Sequence, residues 1–453
     1  MCGRCRWCAC WFSAHTSVML RSADVLSDDR IVAHLRQIER PALASLLERD
    51  GATPLGEWGA RLWQYTPTCA LEPAMHAAFA HELARVEASP DDSAAALVAL
   101  ARRRVLQTTP HVTLTDGPIF LAAHHLGSRG LAADEPYVVG ACSGIGFANN
   151  AWPGCLSYGR LALDDLVDLK AAAATRWRRA DADRRRDSQE RRISLVPRHG
   201  RELVFGAQIS EETVACCEAL VGHARALVGV PEAGTSFTAW AVRVSAALVT
   251  RVLRRRVITL DLGAVIARYL HTVLGDLAHP LARLLFHAPV RTRVLQCLPP
   301  VPLFLTVGAD EATVLEPLRA EGASLRGRTR TLPLEPEVIR EALAAEQLCP
   351  GTFLTFTALI AQNGFACFGG VDQLEYLAQF RPAWAAAGEW PSSTAPLDLL
   401  TSGRMVDDHG VDLFPLDVIY GVPFAPVHGD TLMGFLRPQF ARLLQRPFAW
   451  GVA

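Results

Sequence analysis

The chain has 453 residues, half of them hydrophobic, and a formal net charge of -1. That length holds two or three domains, or one large domain with insertions, and the apolar content excludes a largely disordered chain. A charge near zero leaves no electrostatic footprint for DNA or RNA. Lys170 is the only lysine, and the other basic residues are arginines. No Gly-x-x-x-x-Gly-Lys-Ser/Thr loop exists, which excludes a P-loop NTPase. Lys170 sits in a charged stretch and is a poor Schiff-base residue.

Residues 1–22 read as a tail outside the fold, with Met19 as an alternative start. Cys2, Cys5, Cys8 and Cys10 crowd its beginning. Thiolates spaced so tightly cannot easily surround one ion, and no partner Cys/His pair follows, so no metal site is expected. The remaining cysteines read as reduced, buried thiols of a cytoplasmic protein. No apolar stretch with a small-residue cleavage site opens the chain. The apolar segment 240–275 is broken by Arg243, Arg251, Arg254, Arg255 and Arg256, so it does not read as a membrane span.

Residues 23–104 form a helical N-terminal segment, with helical spacing of apolar positions after Asp28 and again over 73–86 and 91–104. From 105 to 390 the pattern changes to short apolar strands alternating with helices. Strands are expected at 104–108, 137–141, 202–205, 303–307 and 366–368. Such alternation argues for an α/β fold with a largely parallel sheet. The charge run 170–192 reads as a solvated helix or loop, or as an anion-binding edge. Residues 208–295 read as an inserted helical subdomain, with helices at 211–228, 237–252 and 262–274. Residues 391–453, rich in Pro and Gly, read as an extension packed on the core.

Two strand–turn–helix units carry the candidate chemistry. The first runs Val105-Leu-Gln-Thr108-Thr109-Pro-His111-Val-Thr113-Leu-Thr115-Asp116-Gly117-Pro118. Pro118 suits the first helical position, where its missing N–H would be unpaired anyway. The loop before it presents N–H groups at a helix N-terminus, suited to a carboxylate or phosphate. Thr108, Thr109, Thr113 and Thr115 add hydroxyls, and Asp116 or Gly117 caps the helix. His111 is a candidate base or anion ligand, and His124 and His125 follow two turns into the helix. The second unit is Phe365-Ala-Cys-Phe-Gly369-Gly370-Val-Asp372-Gln373-Leu-Glu375. Asp372 three residues before Glu375 resembles a capping box. The functional alternative is that one of these carboxylates receives a proton from an attacking amine. Gln362, Asn363 and Gln373 are further polar candidates. Between the units, strand 137–141 runs into Cys142-Ser143-Gly-Ile-Gly-Phe-Ala-Asn149-Asn150, where Ser143, Asn149 and Asn150 could orient substrate or simply form turns. No basic neighbour is visible in sequence to activate Cys142.

Across roughly residues 100–390 these segments resemble the bacillithiol-biosynthesis enzymes proposed to add cysteine to glucosaminyl malate. The likeness rests on Thr108 through Pro118, on the loop from Cys142 to Asn150, and on the order of later segments. Those are Leu303-Phe-Leu-Thr-Val, a helix near 336–348, Pro350-Gly-Thr-Phe-Leu, and Phe368-Gly-Gly-Val-Asp-Gln-Leu-Glu-Tyr-Leu-Ala-Gln379-Phe. The resemblance implies a Rossmann-like core with helical insertions, and by analogy activation of a carboxylate by ATP. The chain departs from that family in four places. The paired Gln of the first loop are replaced, the acidic–His loop has become Ser/Gly/Asn, the Pro-Gly-Glu turn is Val371-Asp372-Gln373, and the long C-terminal helix has no counterpart.

The expectation is a ligase-like enzyme joining an amino acid, cysteine by analogy, to a small amine- or carboxyl-bearing molecule in thiol or specialised-metabolite biosynthesis. His111, Asp372 and Glu375 are the candidate catalytic residues. Asp372→Asn and His111→Ala should each lower product formation by about a hundredfold. The alternatives are a non-catalytic small-molecule-binding or partner protein that keeps the fold, and a nucleotidyl-transfer enzyme on a similar core. The last is disfavoured because no His-x-Gly-His follows the first strand.

Overall fold

The computed structural model describes residues 27–112, 116–143, 191–193, 203–205, 226–228, 237–306, 316–388, 390, 395–406, 413, 415–419, 429–444 and 448. Within them the protein is a mixed α/β fold with two main sheets. Four parallel strands form the first: β1 (Val105–Gln107), β2 (Tyr137–Ala141), β5 (Val257–Asp261) and β11 (Ala366–Phe368). Their order is β11-β1-β2-β5, so the chain first builds outward from β1 and then returns to add β11 on its other side. A short pair, β3 (Arg191–Ile193) and β4 (Leu203–Phe205), stands apart.

The second main sheet holds β6 (Phe304–Thr306), β7 (Glu316–Glu321), β8 (Ser324–Arg326), β9 (Thr331–Pro333) and β10 (Leu348–Pro350). Its order is β10-β6-β7-β8-β9, every pairing antiparallel.

Successive side chains of a strand point to opposite faces, so a parallel sheet covered on both sides needs two apolar sets. The strands supply them. Val105, Tyr137, Val139, Val257, Ala366 and Phe368 enter one core, and Leu106, Val138, Ile258, Leu260 and Cys367 enter the other. The N-terminal helices divide between these faces. Those at Asp28–Gln37, Pro41–Asp50 and Leu55–Arg61 join the first core, and those at Pro73–Arg85 and Pro90–Arg103 join the second.

Strands β2 and β11 coincide with the expected positions 137–141 and 366–368. Strand β5 lies inside the segment whose periodicity reads as helical, and it pairs with β2 over all five residues. A short, mostly apolar run such as Val257 to Leu260 cannot be told from a buried helical turn by periodicity alone. The helices Phe237–Leu253 and Leu262–Val273 flank this strand, and both contribute to the cores of the parallel sheet.

The C-terminal residues pack on the first core. Leu432 and Met433 donate backbone hydrogen bonds to Thr53 and Gly51 at 3.0 and 2.8 Å. Leu400, Leu432, Leu436 and Phe440 are fully buried there. No helix of the described residues is long and apolar enough to cross a membrane.

Candidate functional site

All four parallel strands end on one edge. That carboxyl edge carries Thr108 to His111 after β1, Cys142 and Ser143 after β2, Asp261 at the end of β5, and Gly369 to Gln373 after β11. Strand order reverses between β1 and β11, the position at which open α/β sheets form a ligand crevice. Two helices start beside it. Gly117 caps the Pro118–Gly127 helix and Gly370 caps the Val371–Ala387 helix, each without a side-chain hydrogen bond to the helix. Their first N–H groups are therefore left to other partners.

The innermost part of that crevice is filled. Residues 399–401 lie against the end of β11, with Gly369 N–H donating to Leu399 O and Thr401 N–H to Gly369 O, each at 3.0 Å. Gln107 organises the space beneath. Its amide nitrogen donates to Ala123 O, Tyr137 Oη and Thr401 Oγ1 at 3.1, 3.1 and 3.0 Å. Its oxygen accepts from Thr109 N–H at 3.0 Å and Thr109 Oγ1 at 2.8 Å. Thr108 Oγ1 donates to Gln373 Oε1 at 2.9 Å, and Gln373 Nε2 donates to Cys367 O at 3.1 Å. Three of the candidate binding residues, Thr108, Thr109 and Gln373, are thus brought together and bonded to the protein itself.

His111 lies further along the edge toward β2. It faces Cys142 in a parallel bridge, fixed by Val112 N–H to Cys142 O at 2.9 Å and Cys142 N–H to Pro110 O at 2.8 Å. The ring meets Phe120 edge-on at 5.0 Å. Burial pushes its pKa down to about 4, against an opposing pull from Asp116. The imidazole is therefore neutral at physiological pH, and its buried Nδ1 has no hydrogen-bond partner among the described residues. Asp116 is also buried and accepts from His124 Nε2 at 3.0 Å and Ser245 Oγ at 3.1 Å. Asp116 Oδ1 and His124 Nδ1 are buried and likewise have no partner among the described residues. His125 Nε2 lies 2.8 Å from Arg129 on the outer side of the helix. Burial, followed by Asp261 and Cys349, pushes the Cys142 thiol up to about 12, which keeps it protonated and unreactive.

Ser143 stands beside β5. A Cβ on Gly263 would meet Ser143 Oγ at 2.1 Å and Asp261 Oδ1 at 3.2 Å, so only glycine allows this approach. Asp261 caps the Leu262–Val273 helix through Ala264 N–H at 3.3 Å.

The remaining candidates make other contacts. Asp372 is exposed and pairs with Arg40 at 2.7 Å. Glu375 is buried and accepts from the N–H groups of Ala42 and Leu43 at 3.2 and 3.0 Å. The resemblance of this pair to a capping box is not realised, because Gly370 is the cap. Gln362 and Asn363 precede β11 and so occupy the opposite, amino edge of the sheet. There Gln362 donates to Glu72, and Asn363 Oδ1 accepts from Glu72 N–H at 3.1 Å. Thr113, Thr115, Asn149, Asn150 and most of the charge run 170–192 lie outside the described residues.

Sequence reasoning passed over Gln107, Thr401, Glu82, Arg85 and Asp261. Glu82 and Arg85 are separated by three positions on the Pro73–Arg85 helix, which reads as an ordinary surface pair until β5 is placed against it. Among the described residues, no group of three or more His, Cys, Asp or Glu is placed to hold a metal ion. No family model, curated protein or solved structure matches this chain.

Proposed function

We propose that this chain is a carbon–nitrogen bond-forming enzyme on a Rossmann-like core. It joins an amino acid, cysteine by the resemblance of its loops, to a small amine- or carboxyl-bearing molecule. Counted in chain order, the parallel strands stand third, second, first, fourth, as in the first half of a doubly wound dinucleotide-type sheet. Substrates would sit along the carboxyl edge from His111 to Ser143, beyond the part filled by residues 399–401. The N–H groups at the Gly117 and Gly370 helix starts suit an anionic group, whether a carboxylate or the phosphate of an activating nucleotide. His111 would accept the proton released as an amine adds to the activated carboxyl carbon.

The observation that carries this reading is His111 itself. It is a neutral imidazole whose Nδ1 has no partner among the described residues, at a strand end beside a glycine-started helix. The test is product formation by mass spectrometry from amino acids and amine acceptors, with and without ATP. His111→Ala should lower turnover by about a hundredfold. Wild-type turnover in that variant would overturn the assignment.

A non-catalytic binding protein is the second reading. It is favoured by the internal use of Thr108, Thr109 and Gln373, whose hydrogen bonds go to Phe368, Gln107, Cys367 and Thr401. Amino-acid binding without nucleotide consumption or product would support it.

A further inference from the structure

The amino edge of the parallel sheet holds a buried cation with no acid opposite it. Arg104 joins the Pro90–Arg103 helix to β1 in the left-handed conformation, at φ 48, and is 5% exposed. Arg102 and Arg103 before it both pair with Glu135, whereas Arg104 meets no carboxylate among the described residues. Glu72, bonded to Asn363 at the same edge, is already engaged. Its carboxylate accepts from Tyr269 Oη at 2.6 Å and from Gln362, and lies 3.4 Å from His279 Nε2. The Arg104 guanidinium instead donates to Asn363 O at 2.9 Å and to the Cys69 thiol, with Nη1 3.5 Å from Sγ. Its Nε is buried and has no hydrogen-bond partner among the described residues. Gly364 lets the sulfur approach. It has φ 65, and a Cβ on it would stand 2.7 Å from Cys69 Sγ and 3.7 Å from Arg104 Nη1.

We propose that Cys69 is an oxidative modification site, converted by hydroperoxides to a sulfenic acid with the assistance of Arg104. This site lies at the sheet edge opposite His111 and does not depend on the function proposed above. The physical argument starts from the unpaired charge. A buried ion is costly unless it is paired, and an arginine cannot lose its proton to escape that cost. The group beside this guanidinium that can acquire a negative charge is the half-buried sulfur of Cys69. A sulfur lone pair attacks the terminal peroxide oxygen, and the S–O bond forms as the O–O bond breaks. The thiol proton leaves with the displaced oxygen, as water or an alcohol. One electron pair passes from sulfur to the peroxide. Negative charge develops on the reacting oxygens, where fixed N–H groups in a poorly hydrated place stabilise it better than water does. The oxygen left on sulfur then gives Arg104 the acceptor it lacks. The other described thiols lack this combination. Cys349 and Cys367 are buried, and Cys297 is exposed with no arginine bonded to its sulfur among the described residues. Burial pushes the Cys142 thiol up to about 12 and raises that of Cys367 as well.

Cys297 is the internal reference, because it is more exposed to peroxide yet has no cation against its sulfur. The full chain, first reduced, is treated with about equimolar hydrogen peroxide in the presence of dimedone, which traps sulfenic acids. Adducts on the Cys69 and Cys297 peptides are then followed in time by mass spectrometry. The Cys69 adduct should form at least about tenfold faster than the Cys297 adduct. Arg104→Gln should bring the two rates together, and Arg104→Lys, which keeps the charge, should preserve much of the difference. Equal rates in the wild type, or an unchanged Cys69 rate in Arg104→Gln, would overturn the proposal. The wild-type comparison uses two peptides of one sample, so it stays decisive if Arg104→Gln does not fold.

Discussion

Glu375 accepts the backbone N–H of Leu43 at 3.0 Å, across 332 positions of sequence. Together with the bond from Ala42, it satisfies the start of the Pro41–Asp50 helix, whose own cap residue Arg40 offers no side-chain acceptor. One turn earlier, Asp372 meets Arg40 from outside at 2.7 Å. The two carboxylates therefore clamp the N-terminal helices onto the Val371–Ala387 helix. Their contributions differ because their surroundings differ. Glu375→Ala removes a buried acceptor from two N–H groups and should cost about 2 kcal/mol. Asp372→Asn breaks a pair whose acid is 64% exposed. Its cost should stay below about 1 kcal/mol. Urea unfolding of the two variants measures the difference. A large loss of turnover in Asp372→Asn at unchanged stability would give Asp372 a role that its pairing with Arg40 does not.

The helix starts at Gly117 and Gly370 leave a capping position unused. Serine there would accept an N–H of the first turn, and Gly370 has φ -76 and ψ 173, a conformation open to any residue. Around Gly370 a Cβ meets only Thr109 Cγ2, at an ordinary 3.6 Å. Gly370→Ser should therefore stabilise the fold by about 0.5 kcal/mol. If the bare N–H groups hold a substrate anion, the same change should weaken substrate binding, visible as a raised KM. A stabilised variant with unchanged KM would exclude this helix start from the site.

Gly369, one residue earlier, should behave in the opposite way. A Cβ there would stand 2.0 Å from Gln373 Oε1, so the amide must swing away and Thr108 loses its acceptor. Gly369→Ala should destabilise by about 1–3 kcal/mol, from overpacking and a buried unpaired hydroxyl. Thr401→Val should cost a similar amount, because Gln107 and Thr109 both lose a partner across the filled crevice. Thermal melts of Gly369→Ala and Thr401→Val, set beside Gly370→Ser, separate the filled part of the edge from the open part.

These contrasts show what the sequence made legible. Strands β2 and β11 were readable because apolar runs end in glycine-bearing turns, and the Pro118 helix because proline marks its first position. The antiparallel strands of residues 316–333 were not read, although Gly322, at φ 59, and Gly327 mark their turns, because the strands are short and charged residues interrupt their apolar positions. Strand β5 was hidden by helices on both sides. His111 and Ser143 lie on the carboxyl edge of the sheet, which follows from their lying just after a strand. Residue type could not separate Asp372 from Glu375, or detect that Gln107 binds Thr401, since those depend on which distant segment packs alongside. Gln362 and Asn363 illustrate the same limit. Polar residues just before a strand belong to the edge opposite those just after one.

Glu82 yields the sharpest dependence on pH. Its ordinary value is 4.5, and burial raises it to about 7 in the folded chain, with Arg85 and the Asp261 N–H opposing the shift. Between those values the folded chain holds a proton that the unfolded chain has released. The contribution is therefore fully present below about pH 4.5 and is lost as pH rises through about 7. In urea titrations across this window, stability attributable to Glu82 should fall by a few kcal/mol, on the order of 3. Glu82→Gln carries no titrating proton, so its stability should lack that slope. Carboxylates with lowered pKa values impose the reverse trend. Glu72 is one, held down by bonds from His279, Tyr269 and Gln362 although burial opposes them. The informative quantity is thus the difference between wild type and Glu82→Gln at each pH. If the two curves run parallel, Glu82 is ionised in the folded chain throughout, and Arg85 neutralises it more completely than burial opposes.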